Sequence, residues 1–600
     1  MSASAVNQSS SPREAPASAL MNFVDDASHK SDRPGDEPLL CIDNIQGNSI
    51  AGFNKDFQTL VFLRISDPAA FKAWLANEVP FVSTAAEVLS FNRLFKALRF
   101  RRGAEKRSIK ATWFNIGVSA AGLRLLMDPS EVDAFLDAPF KAALFAQSAS
   151  LNDPSDAASD GAPQNWLFGG NADSDAHVVL ICASDDQSDL DAEIDRIQAA
   201  IEGTTDTRQA ATAHRSGATI LYIQRGATLP QPLTGHEHFG WLDGVSQPGI
   251  RGKLSANNDD LLTPRQNPNE PGQGKPGQDC LYPGEFVFGY LKQDAGAADP
   301  AAPTGTFSKA RGSAGADWTD DGSFYVVRRL RQDVAGFHRW LSDTAAQHDL
   351  SAEELGSALV GRHPHGAPVL AATADDRVIG NDDCRNNFFE FQNPPASGQA
   401  PKDDSQCNPG PAAAADPQGQ RCPFSAHIRK AYPRDDKSTL IAQLTESDTQ
   451  THRLLRRGIP FGDPIADEGN LSKDTGDRGL LFAAYQTSIA NQFEFVTKNW
   501  VNNPNFKEAG VGQDPILGQN AQDGRQRQFV TAFTDDDNNF HDPTLTIPAD
   551  FVVPTGGGYF FTPSIDGLYH IAGRTDVPPV CLGGHVPPQP PQPPTPRYGG

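Results

Sequence analysis

The 600-residue sequence lacks the features that mark membrane and nucleic-acid-binding proteins. It contains no apolar run of roughly 18 residues, so no transmembrane helix is predicted. Basic residues number 51 against 74 acidic ones, and the net charge of −23 argues against nucleic acid or an anionic membrane as a partner. The N-terminal stretch also lacks a basic start followed by an apolar segment, so we expect no signal peptide.

Cysteine is scarce too, and its spacing is uninformative. The seven cysteines are scattered, odd in number and without any C-x-x-C pair: Cys41, Cys182, Cys280, Cys384, Cys407, Cys422 and Cys581. Such spacing predicts neither a disulfide framework nor a zinc site. We therefore expect a reducing, cytoplasmic setting.

Proline and glycine, in contrast, are abundant, at 47 and 53 residues, and they mark tails and loops. Residues 1–38 are rich in Ser, Ala, Asp and Pro and are predicted to be a disordered tail. Residues 585–600 should form an extended Pro-rich tail. Long loops are predicted at 255–279, 293–318 and 396–420.

The remaining segments alternate between strand and helix patterns, which predicts an α+β fold with helices packed on antiparallel sheets. Short β-branched runs predict strands at 58–65, 177–184 and 219–225. Helical spacing after Ser and Asp predicts helices at 119–128 and 189–203. Apolar residues three and four apart predict the strongest helix of the chain over 479–503, GLLFAAYQTSIANQFEFVTKNWVNN.

One pattern occurs twice. D-x-x-x-F-x-x-W-L begins at Asp67 and again at Asp333, each time directly after a predicted strand. An Asp N-cap followed by Phe and Trp-Leu predicts a helix whose apolar face packs on a sheet. The repeat indicates a duplication into two related halves, and the interface between such halves is a favoured place for a cofactor.

Among the 14 histidines, His427 stands in the most suggestive context, CPFSAHIRKAYPR (422–434). Neighbouring Arg and Lys residues are expected to lower the pKa of its imidazole and keep it neutral, as a metal ligand must be. Cys422 is a rival, because a thiolate can also bind haem iron. The H-x-H pairs at 236–238 and 363–365 have no partners at metal-site spacing, so ordinary polar roles are favoured for both.

Two further segments could contribute charged groups. Asp243 lies in HEHFGWLDGVSQP (236–248), between glycines and a tryptophan, and is either a turn former or a working acid/base. HRLLRRGIPFG (452–462) places adjacent arginines, Arg456 and Arg457, before an apolar turn. Taken alone, that pair is best explained as solvated charges at a helix end.

Together, however, these segments resemble the dye-decolorizing haem peroxidases. GWLDG (240–244) matches the G-x-x-D-G signature of that family, CPFSAHIRKAYPR resembles its haem-histidine segment, and RRGIPFG resembles its distal-arginine segment. The likeness covers roughly residues 40 to 575 in family order. It includes IQGNSIAGFNKDFQTLVFL (45–63), PGEFVFGY (283–290), DGSFYVVRRLRQD (321–333), GLLFAAYQ (479–486) and GGGYFFTP (556–563).

The resemblance implies duplicated ferredoxin-like halves with haem b (iron protoporphyrin IX) between them, in the manner of a dimeric α+β barrel. The halves would span 39–235 and 236–584, with the haem-site motifs in the second. It also implies a peroxidase that reduces hydrogen peroxide and oxidises dyes, phenols and similar small aromatic donors. An aspartate base predicts an acidic optimum, and the oligomeric state is left open.

By position, the resemblance assigns a role to each candidate residue. His427 would be the iron ligand, Asp243 the acid/base and Arg456 the catalytic arginine, with Arg457 as the fallback. The other matched positions are Leu480 and Phe482 beside the haem and Asp514, in GQDPILG, as the carboxylate that holds His427. Tyr432 departs from the family, where many relatives have Asn, and the 396–420 insertion is a second departure.

Three alternatives remain at this stage. The chain could be a haem carrier or sensor ligated by Cys422 or His427, without turnover. It could be a non-haem protein in which Asp243 only forms a turn. Within the enzyme class, it could act on haem itself or on manganese. Trp500 resembles a surface tryptophan that some relatives use for oxidation, although a core or half-exposed anchor is favoured.

Overall fold

The structure is a computed structural model and describes the following residues: 37–102, 109–202, 216–267, 270–296, 309–314, 317–372, 376–395, 407–441, 444–465, 476–520, 525–534 and 540–581. The predicted tail at 585–600, and nearly all of that at 1–38, lie outside these ranges. Parts of the predicted loops at 293–318 and 396–420 also lie outside them.

The strands are numbered in chain order: β1 Phe57–Ile65, β2 Thr112–Val118, β3 Val178–Ser184, β4 Ala218–Ala227, β5 Gly249–Ile250, β6 Cys280–Leu281, β7 Ser323–Gln332, β8 Leu455–Arg456, β9 Ile459–Phe461, β10 Gly479–Gln486, β11 Arg527–Val530, β12 Phe533–Thr534, β13 Phe540–His541, β14 Thr544–Ile547 and β15 Val552–Thr562. The predicted strands at 58–65, 177–184 and 219–225 are confirmed as β1, β3 and β4. β-Branched and aromatic residues dominate these strands, as expected for buried pleated surfaces.

The α-helices are α1 Gly47–Ile50, α2 Pro68–Glu78, α3 Ala85–Arg102, α4 Ala120–Leu126, α5 Pro129–Asp133, α6 Ala138–Ala142, α7 Leu144–Gln147, α8 Gln187–Glu202, α9 Val334–Ala346, α10 Ala352–Val360, α11 Arg377–Gly380, α12 His427–Ala431, α13 Glu446–Gln450, α14 Phe493–Phe495 and α15 Ile565–Ile571. Tighter 3-10 turns occur at Val79–Phe81, Pro163–Asn165, Pro283–Glu285 and Asp317–Thr319, and a π-helical turn occurs at Val496–Val501. None of the described helices combines the length and the apolar character that a membrane span requires.

The main sheet confirms the duplication. Its strands pair antiparallel in the order β4-β1-β3-β2-β15-β7-β10-β8, with β9 also pairing with β10. The first four strands therefore follow the spatial order fourth-first-third-second, and β7, β8, β10 and β15 repeat that order. The two sets meet where Phe561 of β15 pairs with Val118 of β2. This is the ferredoxin-like topology twice over.

The repeated helix pattern also forms as predicted. The Asp67 carboxylate caps α2 by accepting the Ala69 and Ala70 amides, and the Asp333 carboxylate caps α9 by accepting the Gly336 amide. Each N-cap aspartate thus satisfies amides that the first helical turn leaves without partners. The phenylalanine four residues on is buried in both halves.

The helix predicted over 479–503 is wrong in its first half. Residues 479–486 form β10, which is hydrogen-bonded to β7 on one side and to β8 and β9 on the other. Apolar side chains on both faces of this strand imitated helical spacing, and pairing with two neighbours decided the structure. Helical structure begins only at Phe493.

The spacing of the cysteines predicted no disulfide framework, and this prediction is also wrong. Cys41 pairs with Cys581, and Cys384 pairs with Cys407, leaving Cys182, Cys280 and Cys422 as buried thiols. Both bonds link cysteines that the fold brings together, at Cα separations of 6.2 and 5.4 Å, so sequence spacing could not reveal them. Because disulfides are typical of oxidising compartments, cysteine usage no longer supports a cytoplasmic setting.

Candidate functional site

Asp243 lies at the end of a tight loop whose backbone requires glycine. Gly240 and Gly244 have φ values of 101° and 74°, the left-handed region that glycine adopts without strain. Phe239 packs on Phe337 of α9 with ring centroids 4.3 Å apart, which anchors the loop on the duplicated helix. The Asp243 amide donates to the Gly235 carbonyl oxygen at 3.0 Å and closes the loop.

Asp243 faces Arg456 of β8. The Arg456 guanidinium donates to the Asp243 carboxylate at 2.9 Å and to the Ser246 carbonyl oxygen at 2.9 Å. The side chains of Asp243 and Arg456 are 36% and 30% exposed, and that exposure is onto the cavity described below. The aspartate is therefore more than a turn former, because its carboxylate is paired with a cation across the site.

Arg457 points elsewhere. Its guanidinium donates to the carbonyl oxygens of Asn48, Ser49, Ile50 and Arg456 at 3.0–3.3 Å. Successive side chains of an extended chain point to opposite sides, so only one of two adjacent arginines can face Asp243. Both guanidinium groups donate to acceptors within the protein, whereas this segment alone predicted two solvated charges.

His427 begins α12 and is held by a buried carboxylate. Its Nδ1 atom lies 2.7 Å from Oδ2 of Asp514, which is fully buried and accepts the Ile516 and Leu517 amides through Oδ1. Within the described ranges, the Nε2 atom of His427 has no hydrogen-bond partner, and the ring lines the cavity. The nitrogen opposite Asp514 is thus available to a ligand.

The pKa of His427 differs from the expectation. Burial lowers the pKa of the imidazole, but the charge and the hydrogen bond of Asp514 outweigh burial and raise it above its ordinary value. The cations expected to lower it pair elsewhere, since Arg429 binds Asp436 and Lys430 donates to carbonyl oxygens. Asp514, and not the adjacent cations, therefore has the larger effect on the pKa of the His427 imidazole.

One cavity of about 310 Å³ joins the two pairs, because its lining includes His427, Asp243 and Arg456. That volume falls in the usual range for cofactor and ligand sites. Most of the walls are apolar and come from residues after 236, whereas the N-terminal half contributes Leu151 and Asp153.

Leu480 and Phe482 belong to this apolar wall. They alternate along β10 with Leu481 and Ala483, which are fully buried in the core of the sheet. The two-residue period of the strand thus directs one set of side chains to the core and the other to the cavity.

Buried cations line one part of the cavity. Arg362 is 4% exposed, and its guanidinium donates only to the carbonyl oxygens of Gly366 and Asn386 and to the Asn387 amide oxygen. Burial, together with repulsion by Arg434 and Arg456, lowers the pKa of Arg362 to about 9. A buried cation that lacks a carboxylate partner within the described chain is costly unless a ligand supplies the negative charge.

These features fit a haem. An apolar slot suits the porphyrin faces, an imidazole nitrogen held by a carboxylate suits the iron, and Arg362, which has no carboxylate partner in the described chain, suits a propionate. Cys422 does not fit as the ligand, because it lies outside the cavity lining and burial raises the pKa of its thiol to about 12.

The electrostatics of Asp243 favour its ionised form. Burial raises the pKa of the carboxyl group, but the Arg456 charge, the Gly244 amide and the Arg456 hydrogen bond bring it below its ordinary value. The carboxylate is therefore present as a base down to acidic pH.

A second cavity of about 320 Å³ reaches the same aspartate. It shares Asp243, Gly244 and Arg456 with the first, but its other walls are largely polar and include Asn48, Gln58 and Gln247. The site thus opens on an apolar chamber on one side and a polar one on the other.

Several sequence candidates lie outside this arrangement. His238 binds the Phe461 carbonyl oxygen, and His363 stacks on His365. The described residues include no group of three or more His, Cys, Asp or Glu that could hold a metal ion. Trp500 is only 2% exposed and packs on Phe506, so it is a core residue and not a surface one.

Sequence reasoning missed Glu237 and Arg362. Both line the cavity, and burial raises the pKa of Glu237 to about 7. A carboxylate six residues before Asp243 was a usable signal, whereas nothing in the sequence marks Arg362 as buried.

Comparison with known proteins agrees with this geometry. The DyP dimeric alpha+beta barrel domain family matches residues 44–216, and the Dyp-type peroxidase C-terminal family matches residues 411–509. Peroxidase 2 from Mycetinis scorodonius is 32% identical over 546 residues, which cover 88% of this chain and 87% of that protein.

Solved structures agree as well. A mutant of the dye-decolorizing peroxidase from Pleurotus ostreatus is 28% identical, with a TM-score of 0.66 over 89% of this chain and 100% of that chain. A dye-decolorizing peroxidase in complex with 2,6-dimethoxyphenol is 30% identical, with a TM-score of 0.62 over 89% of this chain and 100% of that chain. The fold, the ordered motifs and these relatives together place the chain in the dye-decolorizing peroxidase family, as a haem peroxidase.

Proposed function

We propose that this peroxidase reduces hydrogen peroxide at Asp243 and Arg456, with the cofactor held by His427. The observation that carries the proposal is that His427, held from behind by Asp514, and the Asp243–Arg456 pair line one largely apolar cavity. Bound haem supplies the redox chemistry, and the protein supplies proton transfer, orientation and charge stabilisation.

Haem b is the form of the cofactor that the cavity supports. Its lining contains no cysteine, and the described chain offers no Cys-x-x-Cys-His segment for covalent attachment. His427 would hold the iron through Nε2, Asp514 would fix the ring and increase its basicity, and Arg362 would pair with a propionate. Leu480 and Phe482 would contact the porphyrin.

Asp243 moves the proton. A carboxylate with a lowered pKa accepts a proton from bound peroxide and returns it to the departing oxygen. Because this base stays ionised at acidic pH, the lowered pKa supports activity that extends into the acidic range.

Arg456 has two effects. Its guanidinium keeps Asp243 ionised and oriented at 2.9 Å, and it places a fixed positive charge where negative charge develops on the departing oxygen. Neither Asp243 nor Arg456 needs to move far, because the 240–244 loop and β8 fix both backbones.

The second cavity suggests a route for the peroxide. The polar chamber beside Asn48 and Gln247 reaches Asp243 and suits hydrogen peroxide, whereas haem would occupy the apolar cavity. The relative that binds 2,6-dimethoxyphenol supports phenols as one class of reductant.

The test compares Asp243→Asn and Arg456→Leu with wild type. We expect both variants to retain haem. Arg331→Leu, a substitution at the surface outside the cavity lining, is the control. The rate constant for peroxide should fall on the order of 10²–10³-fold in each, the usual cost of removing a preorganised donor or base. Stopped-flow absorbance measures the rate constant.

Two results would count against the proposal. Full peroxide reactivity in both variants would refute the roles of Asp243 and Arg456. A ferric spectrum typical of thiolate-ligated iron, or normal iron ligation in His427→Ala, would refute His427 as the iron ligand. Either result would favour the alternative of a haem carrier ligated by Cys422.

A further inference from the structure

The loop that carries Asp243 is built around a second carboxylate, that of Glu237. Oε1 of Glu237 accepts the Trp241 amide at 2.9 Å, and Oε2 accepts the Phe239 amide at 2.8 Å. The backbone closes in the same way, since the Glu237 amide donates to the Trp241 carbonyl oxygen at 3.0 Å and the Gly240 amide donates to the Glu237 carbonyl oxygen at 3.0 Å. One side chain thus satisfies the two amides that the turn directs inward.

The same carboxylate fastens the loop to the sheet. Nε2 of Gln332, the last residue of β7, donates to Oε2 of Glu237 at 2.5 Å. The backbone N–H of Gln332 donates to the carbonyl oxygen of Arg478 at 2.8 Å, and Arg478 is the residue just before β10. Glu237 therefore links the Asp243 loop to the strands that form the floor of the cavity.

The electrostatic arrangement of Glu237 is unusual for a residue with only a packing role. It forms no ion pair with any Lys, Arg or His in the described chain, and its principal charged neighbour, Asp243, is also an acid. A partly buried carboxylate beside another acid is electrostatically unfavourable, so glutamine or a smaller residue would favour stability at this position. Its hydrogen bonds to the loop offer a reason for its presence.

We propose that Glu237 is a positioning residue for the peroxide reaction: it fixes the Asp243 loop on β7 so that the aspartate stands opposite Arg456. It does not touch the reacting atoms. This inference depends on the proposed role of Asp243. Misplacing a catalytic group by about 1 Å can cost on the order of 10²-fold in rate, so the clamp should affect the peroxide step specifically.

The experiment compares Glu237→Ala and Glu237→Gln in the haem-loaded protein. The alanine variant should lower the peroxide rate constant about 10–100-fold and weaken cyanide binding, because hydrogen cyanide must also give its proton to Asp243. The glutamine variant keeps one acceptor oxygen and should fall between alanine and wild type. Haem content should not change, and neither should the rate at which a reductant reduces enzyme that peroxide has already oxidised, measured in a separate mixing step.

Amide hydrogen exchange supplies a readout that does not need the cofactor. In the haem-free chain, the amides of residues 237–243 should exchange at least about tenfold faster in Glu237→Ala than in wild type. Gln332→Leu should give a smaller effect that disappears in the Glu237→Ala background, as expected for two residues that act through one hydrogen bond.

Glu285→Gln is the matched control. Glu285 is fully buried and, like Glu237, has a pKa raised by burial to about 7, but it lies outside the cavity lining. Equal losses in Glu285→Gln and Glu237→Ala would reduce Glu237 to a stability residue and overturn the inference. Wild-type exchange and cyanide affinity in Glu237→Ala would also overturn it. If Asp243→Asn also had the peroxide rate constant and cyanide affinity of wild type, the proposed function itself would fail.

Discussion

At the scale of single residues, the Arg456 charge lowers the pKa of Asp243 and so should set the pH range in which the proposed base is ionised. Burial alone raises the pKa of the Asp243 carboxyl group, and the guanidinium at 2.9 Å is the largest influence that lowers it. Replacing Arg456 with Leu removes that charge, so the pKa of Asp243 should rise. The pH below which the peroxide rate constant falls should therefore move upward.

Rate constants measured from pH 3 to 8 by stopped flow will test this shift. In Arg331→Leu, whose arginine pairs with Asp160 at the surface, the profile should match wild type. An acid limb at the wild-type position in Arg456→Leu, with only a lower plateau, would mean that Arg456 does not set the pKa of Asp243.

Asp514 should control the electron donation of His427 in the same local way. Its carboxylate lies 2.7 Å from Nδ1 and raises the pKa of the ring, so Asp514→Asn should leave a less basic ligand. A less basic imidazole stabilises ferric iron less. We expect a more positive reduction potential and a 10–100-fold weaker affinity for the cofactor, measured by spectroelectrochemistry and by haem transfer. An unchanged potential would assign Asp514 to packing alone.

At the scale of elements, strand alternation explains what sequence reasoning could and could not decide. The adjacent Arg456 and Arg457 look equivalent in the sequence, and only the course of β8 sends the first toward Asp243 and the second toward backbone carbonyls. Leu480 and Phe482 came from family resemblance, whereas their apolar spacing predicted a helix. Partners that lie far apart in sequence, as in β10 and the two disulfides, cannot be seen in local patterns.

Sequence patterns predicted the structure correctly where it depends on residues close together in the chain. Asp67 and Asp333 were predicted as N-caps because capping involves amides two or three residues away, and both caps form. Asp243 attracted attention through its glycine neighbours, whose positive φ values the loop requires. The hydrogen bonds of Glu237 were not predictable, because nothing in the sequence shows that the Phe239 and Trp241 amides turn inward.

The duplicated helices provide a built-in comparison between structural and functional packing. Phe71 in α2 and Phe337 in α9 occupy matching positions and are 0% and 1% exposed, so Phe→Ala should cost about 3–5 kcal/mol of unfolding free energy at either. Only Phe337 supports the Asp243 loop, through Phe239. Phe337→Ala should therefore also slow the peroxide reaction, and Phe71→Ala should not.

Chemical denaturation and stopped flow, applied to both variants, will separate the two effects. Equal stability loss with unequal peroxide rates is the expected result. If Phe71→Ala slowed the peroxide step as much as Phe337→Ala, general loosening of the fold would explain both.

At the scale of the whole molecule, the cavity is mainly a product of the C-terminal half. The two ferredoxin-like sets of strands form one sheet, but the residues for which we propose chemical roles come from the loop before β5, from α12, β8 and β10, and from Asp514. The N-terminal half contributes support, including the Asn48 and Ser49 carbonyl oxygens that hold Arg457. The two sets of strands thus have the same topology, but the second contributes most of the cavity lining.

The whole chain should also be more stable in mild acid than at alkaline pH. Burial raises the pKa of Asp175, Glu237, Glu285 and Glu446 to about 7 in each case. The folded state therefore binds more protons than the unfolded chain between about pH 4 and pH 7, and stability falls as pH rises through that window. The net charge of −23 acts in the same direction, because acid reduces the repulsion among carboxylates.

Melting temperatures measured from pH 5 to 8 should accordingly decrease as pH rises. Glu285→Gln should flatten the slope, since it removes one of the four acids without touching the cavity. A melting temperature that is constant or rises over this range would mean that these acids titrate near their ordinary values. Stability and peroxide reactivity should therefore be measured over the same pH range, because loss of structure at higher pH would also lower activity.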